Sequence, residues 1–90
     1  MAKGYMKKQH QPQTTLPNAI VIRKFGKWTI EQYTNPNTHR PSYAISDGYA
    51  VHYPVIYDSG KVAFDNPYVI PKTVRAWMEN YGYMITLGRR

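Results

Sequence analysis

The stretch YAVHYPVIY, residues 49–57, sets the tightest limit on what this chain can fold into. Tyr49, Val51, Tyr53, Val55 and Tyr57 occupy every second position, the period of a strand, although tyrosines four apart would also share one face of a helix. Pro54 decides between the two. A proline inside a helix costs about 3 kcal/mol, and valine, isoleucine and tyrosine favour the pleated surface. The stretch therefore reads as a strand. Pro54 has no N–H to give to a ladder, so the strand is either an edge or is broken there by a bulge. Ala50, His52, Pro54 and Ile56 on the other side are mixed rather than polar, which predicts partial cover on both faces.

Other short alternating stretches surround it. AIVIRKF, beginning near Ala19, puts Ile20 and Ile22 on one face, and KWTIEQYT sets Trp28 and Ile30 opposite Thr29, Glu31 and Tyr33. The two suggest a hairpin near Phe25-Gly26. Phe-Gly is not a favoured two-residue turn, so a longer or bulged connection is expected. TNPNTHRP, residues 34–41, reads as a loop. SYAISD offers a third strand, ended by the turn pair Asp47-Gly48. The tyrosine stretch is the fourth, and DSG turns it into a fifth, KVAF.

A helix follows. In PKTVRAWMENYG, Val74, Trp77, Met78 and Tyr81 stand at i, i+3, i+4 and i+7, one apolar stripe. Pro71 suits a first turn, and Gly82 is placed as a C-terminal cap. YMITL, residues 83–87, could then be a short last strand. The expected fold is α+β: an antiparallel meander of four to five strands with one C-terminal helix packed on one face. Residues 1–18 read as a flexible basic arm and residues 19–90 as a single domain.

Charge is unevenly placed. Of a net charge of +7, residues 1–30 carry six bases (Lys3, Lys7, Lys8, Arg23, Lys24, Lys27) and no acid, while residues 31–90 carry six bases and five acids. Such asymmetry suits nucleic acid, anionic lipid or an acidic protein. It also suits a solvated tail on a soluble surface. No cysteine is present, so neither disulfides nor thiolate metal sites are available. The basic N-terminus has no apolar core like that of a signal peptide, and no stretch nears the roughly 18 apolar residues of a membrane span. A protein of the cytoplasm, in no contact with membrane, is expected.

Two features point to binding. The nine tyrosines outnumber what one short helix can cover. Exposed ones, with bases among them, would stack on single-stranded nucleic acid or anchor a protein interface. The segment IRKFGKW gathers Arg23, Lys24 and Lys27 around a turn with Phe25 at its tip, a ribbon of the kind that can enter the major groove. The candidate nucleic-acid contacts are thus Lys3, Lys7, Lys8, Arg23, Lys24, Lys27, Arg89 and Arg90. Candidate partner contacts are Phe25, Tyr49 and Tyr57, with Tyr53 expected in the core beside Trp28, Ile30 and Trp77. A strand edge can also extend another sheet or pair with its own copy, giving a homodimer.

Chemistry is harder to find. His10, His39 and His52 are scattered, without the i, i+4 spacing of a helical metal pair. Asp47, Asp58 and Asp65 sit where turns and a helix start need them. No phosphate loop, nucleophile elbow or HExxH motif occurs. The sequence predicts no catalytic residues, no metal and no cofactor.

Residues 43–74, YAISDGYAVHYPVIYDSGKVAFDNPYVIPKTV, resemble a segment of small uncharacterised accessory proteins of phages and prophages of Gram-positive bacteria. The shared features are the YAISDG turn, the HYP strand, the YDxGKVAxDNP hairpin and the IPK helix start. The resemblance implies a role in host takeover or anti-defence inside a bacterial cell, by binding a host protein, a nucleoprotein or nucleic acid. One form of that role is an inhibitor of a CRISPR-type enzyme acting through a Tyr-rich strand. It brings no catalytic residues with it.

Overall fold

The computed structural model describes Leu16 and residues 18–88. Strands β1 (Ile20–Phe25), β2 (Trp28–Thr34), β3 (Pro41–Ser46) and β4 (Val51–His52) form an antiparallel sheet in the order β1-β2-β3-β4. A second, two-stranded sheet joins β5 (Val55–Ile56) to β6 (Val62–Ala63). A 3-10 turn, Pro67–Val69, leads to the helix α1, Lys72–Leu87. The fold is α+β, as the alternating stretches and the apolar stripe require.

Pro54 splits the tyrosine stretch more deeply than a bulge would. Val51 and His52 pair with Ser46 and Ile45 on the edge of the first sheet, whereas Val55 and Ile56 pair with Ala63 and Val62 in the second. The missing N–H ends one ladder and lets the chain start another. Three residues, Asp58–Ser59–Gly60, close the β5–β6 hairpin, with Gly60 at φ +93°. A glycine in that region is what a three-residue hairpin loop demands.

The β1–β2 connection is tighter than expected. Phe25 pairs with Trp28 directly across Gly26 and Lys27. Gly26 has φ +58° while Lys27 is not among the residues of positive φ. That pattern matches a type II′ turn, which takes glycine at its first central position and complements strand twist. The pair that matters is Gly26-Lys27, not Phe25-Gly26. A bulge does occur, but further along, between Val21 and Arg23.

Side chains from Ile30, Tyr43 and Ile45 meet Val62, Ile70, Val74 and Met78 in one core. Val74 and Met78 are fully buried, each burial contributing about 1.5–3 kcal/mol. The predicted stripe is present, and Gly82 and Ile85 lengthen it. Four rings run across the same interface: Phe25 edge-on to Trp77 at 6.5 Å, Trp77 stacked on Tyr81 at 5.1 Å, and Tyr81 edge-on to Tyr43 at 5.4 Å. The Tyr43 and Tyr81 hydroxyls are 3.3 Å apart.

Two expectations about the chain's end fail together. Gly82 is no cap, and YMITL is no strand; the helix runs on to Leu87 and ends at Gly88, whose N–H donates to the Met84 carbonyl at 3.0 Å. A glycine in mid-helix costs about 1 kcal/mol, but here a side chain has no room. A Cβ on Gly82 would lie 2.5 Å from Val62 Cγ2 and 2.8 Å from the Gly60 carbonyl oxygen. Gly82 therefore lets the helix approach the β5–β6 hairpin, while Ile85 resumes the stripe one turn on.

The sheet face turned away from the helix is also not bare. Thr29, Glu31, Ala44 and Ser46 share it by register and are all buried, Glu31 and Ala44 to 0% exposure. Thr29 donates its hydroxyl to Glu31 Oε2 at 2.9 Å.

A basic hairpin and a tyrosine cleft at opposite ends of the sheet

Register places the β1–β2 turn and the β3–β4 turn at one end of the sheet, since Thr29 lies beside both Lys24 and Ser46. Arg23, Lys24 and Lys27 are exposed there. Arg23 holds its guanidinium over the Phe25 ring, 4.8 Å from the centroid, and Lys24 Nζ donates to the Gly26 carbonyl. The bases on this end are thus gathered by the turn itself. Among the described residues, the ion-pair contact joins His52 to Asp65 and involves none of these three.

The neighbouring turn is built by Asp47. Its Oδ1 accepts from the Tyr49 N–H at 2.9 Å and the Ala50 N–H at 2.8 Å, and Gly48 takes φ +95°. The Ala50 and Tyr49 amides hold the Asp47 carboxyl below its ordinary value of 3.8, with Lys27 adding to the shift against the opposing effect of desolvation. This turn raises Tyr49 into solvent, 94% exposed, on the same end as the bases. Phe25, expected as a partner contact, is instead half-buried against Trp77. Lys3, Lys7, Lys8, Arg89 and Arg90 lie outside the described residues.

The rest of the stretch goes the other way. Because β4 runs back alongside β3, Tyr53 and Tyr57 are carried toward the loop of residues 35–40 at the far end, about 20 Å from the basic turn at ~3.3 Å per strand residue. Tyr53 is 47% and Tyr57 51% exposed. Tyr53 is therefore not a core residue; it packs edge-on to Tyr33 at 6.5 Å and 81°. The reason is alternation: His52 pairs with Ile45 and faces the helix, so Tyr53 next to it turns to the opposite face, where Tyr33 lies.

Between loop 35–40, the 53–58 segment and the last turn of α1 lies a cleft of about 780 Å³. Tyr33, Tyr53 and Tyr57 supply aromatic walls, with Arg40 and Asp58 also lining it. The loop is fixed by Asn35, whose Oδ1 accepts from the Asn37 and Thr38 amides at 2.8 and 3.3 Å, and whose N–H donates to the Arg40 carbonyl at 2.9 Å. His39 takes φ +58° to complete it. Arg40 is exposed and, like the hairpin bases, takes no part in the His52–Asp65 ion pair. Sequence reading did not single out Tyr33 or Arg40. The only signal for them was the aromatic–base pairing on either side of an Asn/Pro-rich loop.

His52 lies on the helix side of β4. Its ring stacks on Trp28 at 6.2 Å, and Nδ1 is 3.4 Å from Asp65 Oδ1. This contact ties the edge of the first sheet to the loop after β6. Among the described residues, no group of three or more His, Asp or Glu is placed to hold a metal ion. No described helix is long and apolar enough to cross a membrane. Comparison of the chain with protein-family models, with characterised proteins and with solved structures found no match.

Proposed function

We propose that this chain is a small nucleic-acid-binding accessory protein that meets phosphates with the Arg23–Lys27 hairpin end. One observation carries the reading: Arg23, Lys24 and Lys27 are exposed together on a tight turn, with Tyr49 raised beside them. Lysine and arginine grouped on a rigid ribbon neutralise phosphates and release counterions, which makes affinity fall steeply with salt. A net charge of +7 favours the same class of partner at long range. The resemblance of residues 43–74 to phage accessory proteins fits a factor that redirects a host nucleic acid or nucleoprotein in the bacterial cytoplasm.

The test is fluorescence anisotropy with duplex DNA, single-stranded DNA and RNA across a salt series. Lys24→Ala with Lys27→Ala should remove two phosphate contacts, weakening binding across sequences and flattening the slope of log K against log salt by about 1.8 on duplex DNA. Unchanged affinity and slope in the double variant would refute the hairpin as the contact.

A second reading rests on a different observation, the half-exposed run of Tyr53, Val55 and Tyr57. Exposed tyrosines beside a short edge strand suit a protein interface. In that reading the chain inhibits a host or defence enzyme, or pairs with its own copy. Sedimentation of the chain alone and inhibition of an RNA-guided nuclease are the two assays. Tyr57→Ser should abolish either effect, and retention of both would remove this reading.

A further inference from the structure

We infer that the tyrosine cleft is a subsite for an unstacked base, so that the preferred ligand is single-stranded nucleic acid rather than duplex. This deepens the nucleic-acid reading and rests on it. Three features of the cleft select the ligand. Its volume of about 780 Å³ falls within the range of roughly 300–1,000 Å³ typical of small-ligand sites, enough for a nucleotide unit. Tyr33 and Tyr53 line it without stacking face to face on one another, and Tyr53 and Tyr57 each leave about half their surface open, aromatic surface that a flat ligand can meet. Arg40 lines the cleft and supplies a guanidinium for a phosphate oxygen.

An internal base of a duplex has both π-faces covered by its neighbours, and even a terminal base is held in its pair, so a duplex base cannot enter such a cleft. A single-stranded base can, and stacking on aromatic side chains tolerates any base. Asp58 also lines the cleft and disfavours phosphate on its side, which sets the backbone of the strand toward Arg40. The basic turn lies at the other end of the sheet, about 20 Å away at ~3.3 Å per residue of β2. A strand anchored in the cleft can therefore reach Lys24 and Lys27 within a few nucleotides.

The experiment compares binding of a short labelled single strand with that of its blunt duplex. Tyr53→Ala should weaken single-strand binding by about 5- to 150-fold and leave duplex binding unchanged. Tyr53→Phe, which keeps the ring, should retain affinity; a matching circular dichroism spectrum and melting curve for both variants separates stacking from misfolding. Arg40→Ala should lower the single-strand salt slope by about 0.7. Equal binding of single strand and duplex, or single-strand affinity unmoved by Tyr53→Ala, would overturn the subsite. Amide and ring chemical shifts keep the two readings apart. A mononucleotide should move the signals of Tyr33, Tyr53 and Arg40. If only those signals move on adding the full single strand, the subsite holds and the hairpin contact fails. If only Lys24 and Lys27 respond, the reverse is true.

Discussion

Replacing Gly82 by alanine tests the packing at its least forgiving point. On a solvent-facing helix the change would stabilise by about 0.8–1.0 kcal/mol, because glycine is the poorer helix former. Gly82 is buried, however, and its new Cβ would lie 2.5 Å from Val62 Cγ2 and 2.8 Å from the Gly60 carbonyl oxygen. Val62 can turn; a backbone carbonyl cannot do so without moving the Asp58–Gly60 loop. Gly60 has little freedom to retreat, being held at φ +93° with Tyr83 occupying the space where its Cβ would stand. Overfilling a packed site costs about 1–3 kcal/mol. With the upper part of that range set against the gain in helix propensity, the net loss is about 1–2 kcal/mol. That corresponds to a melting temperature lower by roughly 5–15 °C for a domain this small. Urea titration followed by tryptophan fluorescence, with Trp28 and Trp77 on the two sides of the core, reads it directly. Gly82→Asn supplies the control. A left-handed helix cap accepts asparagine, whereas a crowded helix interior rejects it more strongly than alanine. A raised urea midpoint for Gly82→Ala, or a smaller loss for Gly82→Asn than for Gly82→Ala, would show that the helix does not press on the hairpin here.

Further outcomes follow from the two turns and from the buried sheet face. Gly60→Ala combines a positive φ with a Cβ only 2.7 Å from Tyr83 Cδ1 and should destabilise by about 1–3 kcal/mol; a neutral result in the same titration would mean the loop is free to move. Because the folded-state pKa of Asp47 is depressed below 3.8, its contribution to stability is present above the unfolded value and is lost as pH falls through the folded one. Asp47→Asn keeps an acceptor for the Tyr49 and Ala50 amides and should flatten this part of an acid-unfolding curve; an identical acid limb in both proteins would refute the role. Glu31→Ala strips a fully buried carboxylate from Thr29 and should cost about 1.5–3 kcal/mol, whereas a surface-like loss of under about 0.5 kcal/mol would contradict its burial.

Of the candidate site, the hairpin was legible and the cleft was not. Arg23, Lys24 and Lys27 lie within five consecutive residues around a glycine, so any turn there gathers them. Tyr33, Arg40, Tyr53 and Tyr57 come together only because β2, β3, β4 and the 53–58 segment take a particular register. Alternation revealed that Tyr49, Tyr53 and Tyr57 share a phase. It could not reveal that Tyr49 would stay in the turn at one end of the sheet while β4, running back along β3, carries Tyr53 and Tyr57 toward the cleft at the other.

The sequence by itself determined the local decisions. Period-2 runs made strands, Asp47-Gly48 and Asp58–Gly60 made turns, and Val74, Trp77, Met78 and Tyr81 made one face of a helix. Each depends on neighbours a few residues away, where backbone sterics and side-chain period act. Tertiary structure decided the rest: that the 49–57 stretch serves two sheets, that Gly82 is a contact and not a stop, and that Glu31 is buried. Those outcomes depend on which surface arrives from elsewhere in the chain. A glycine at a helix end and a glycine under a hairpin have the same local propensity, and only the approach of Val62 and the Gly60 carbonyl tells them apart.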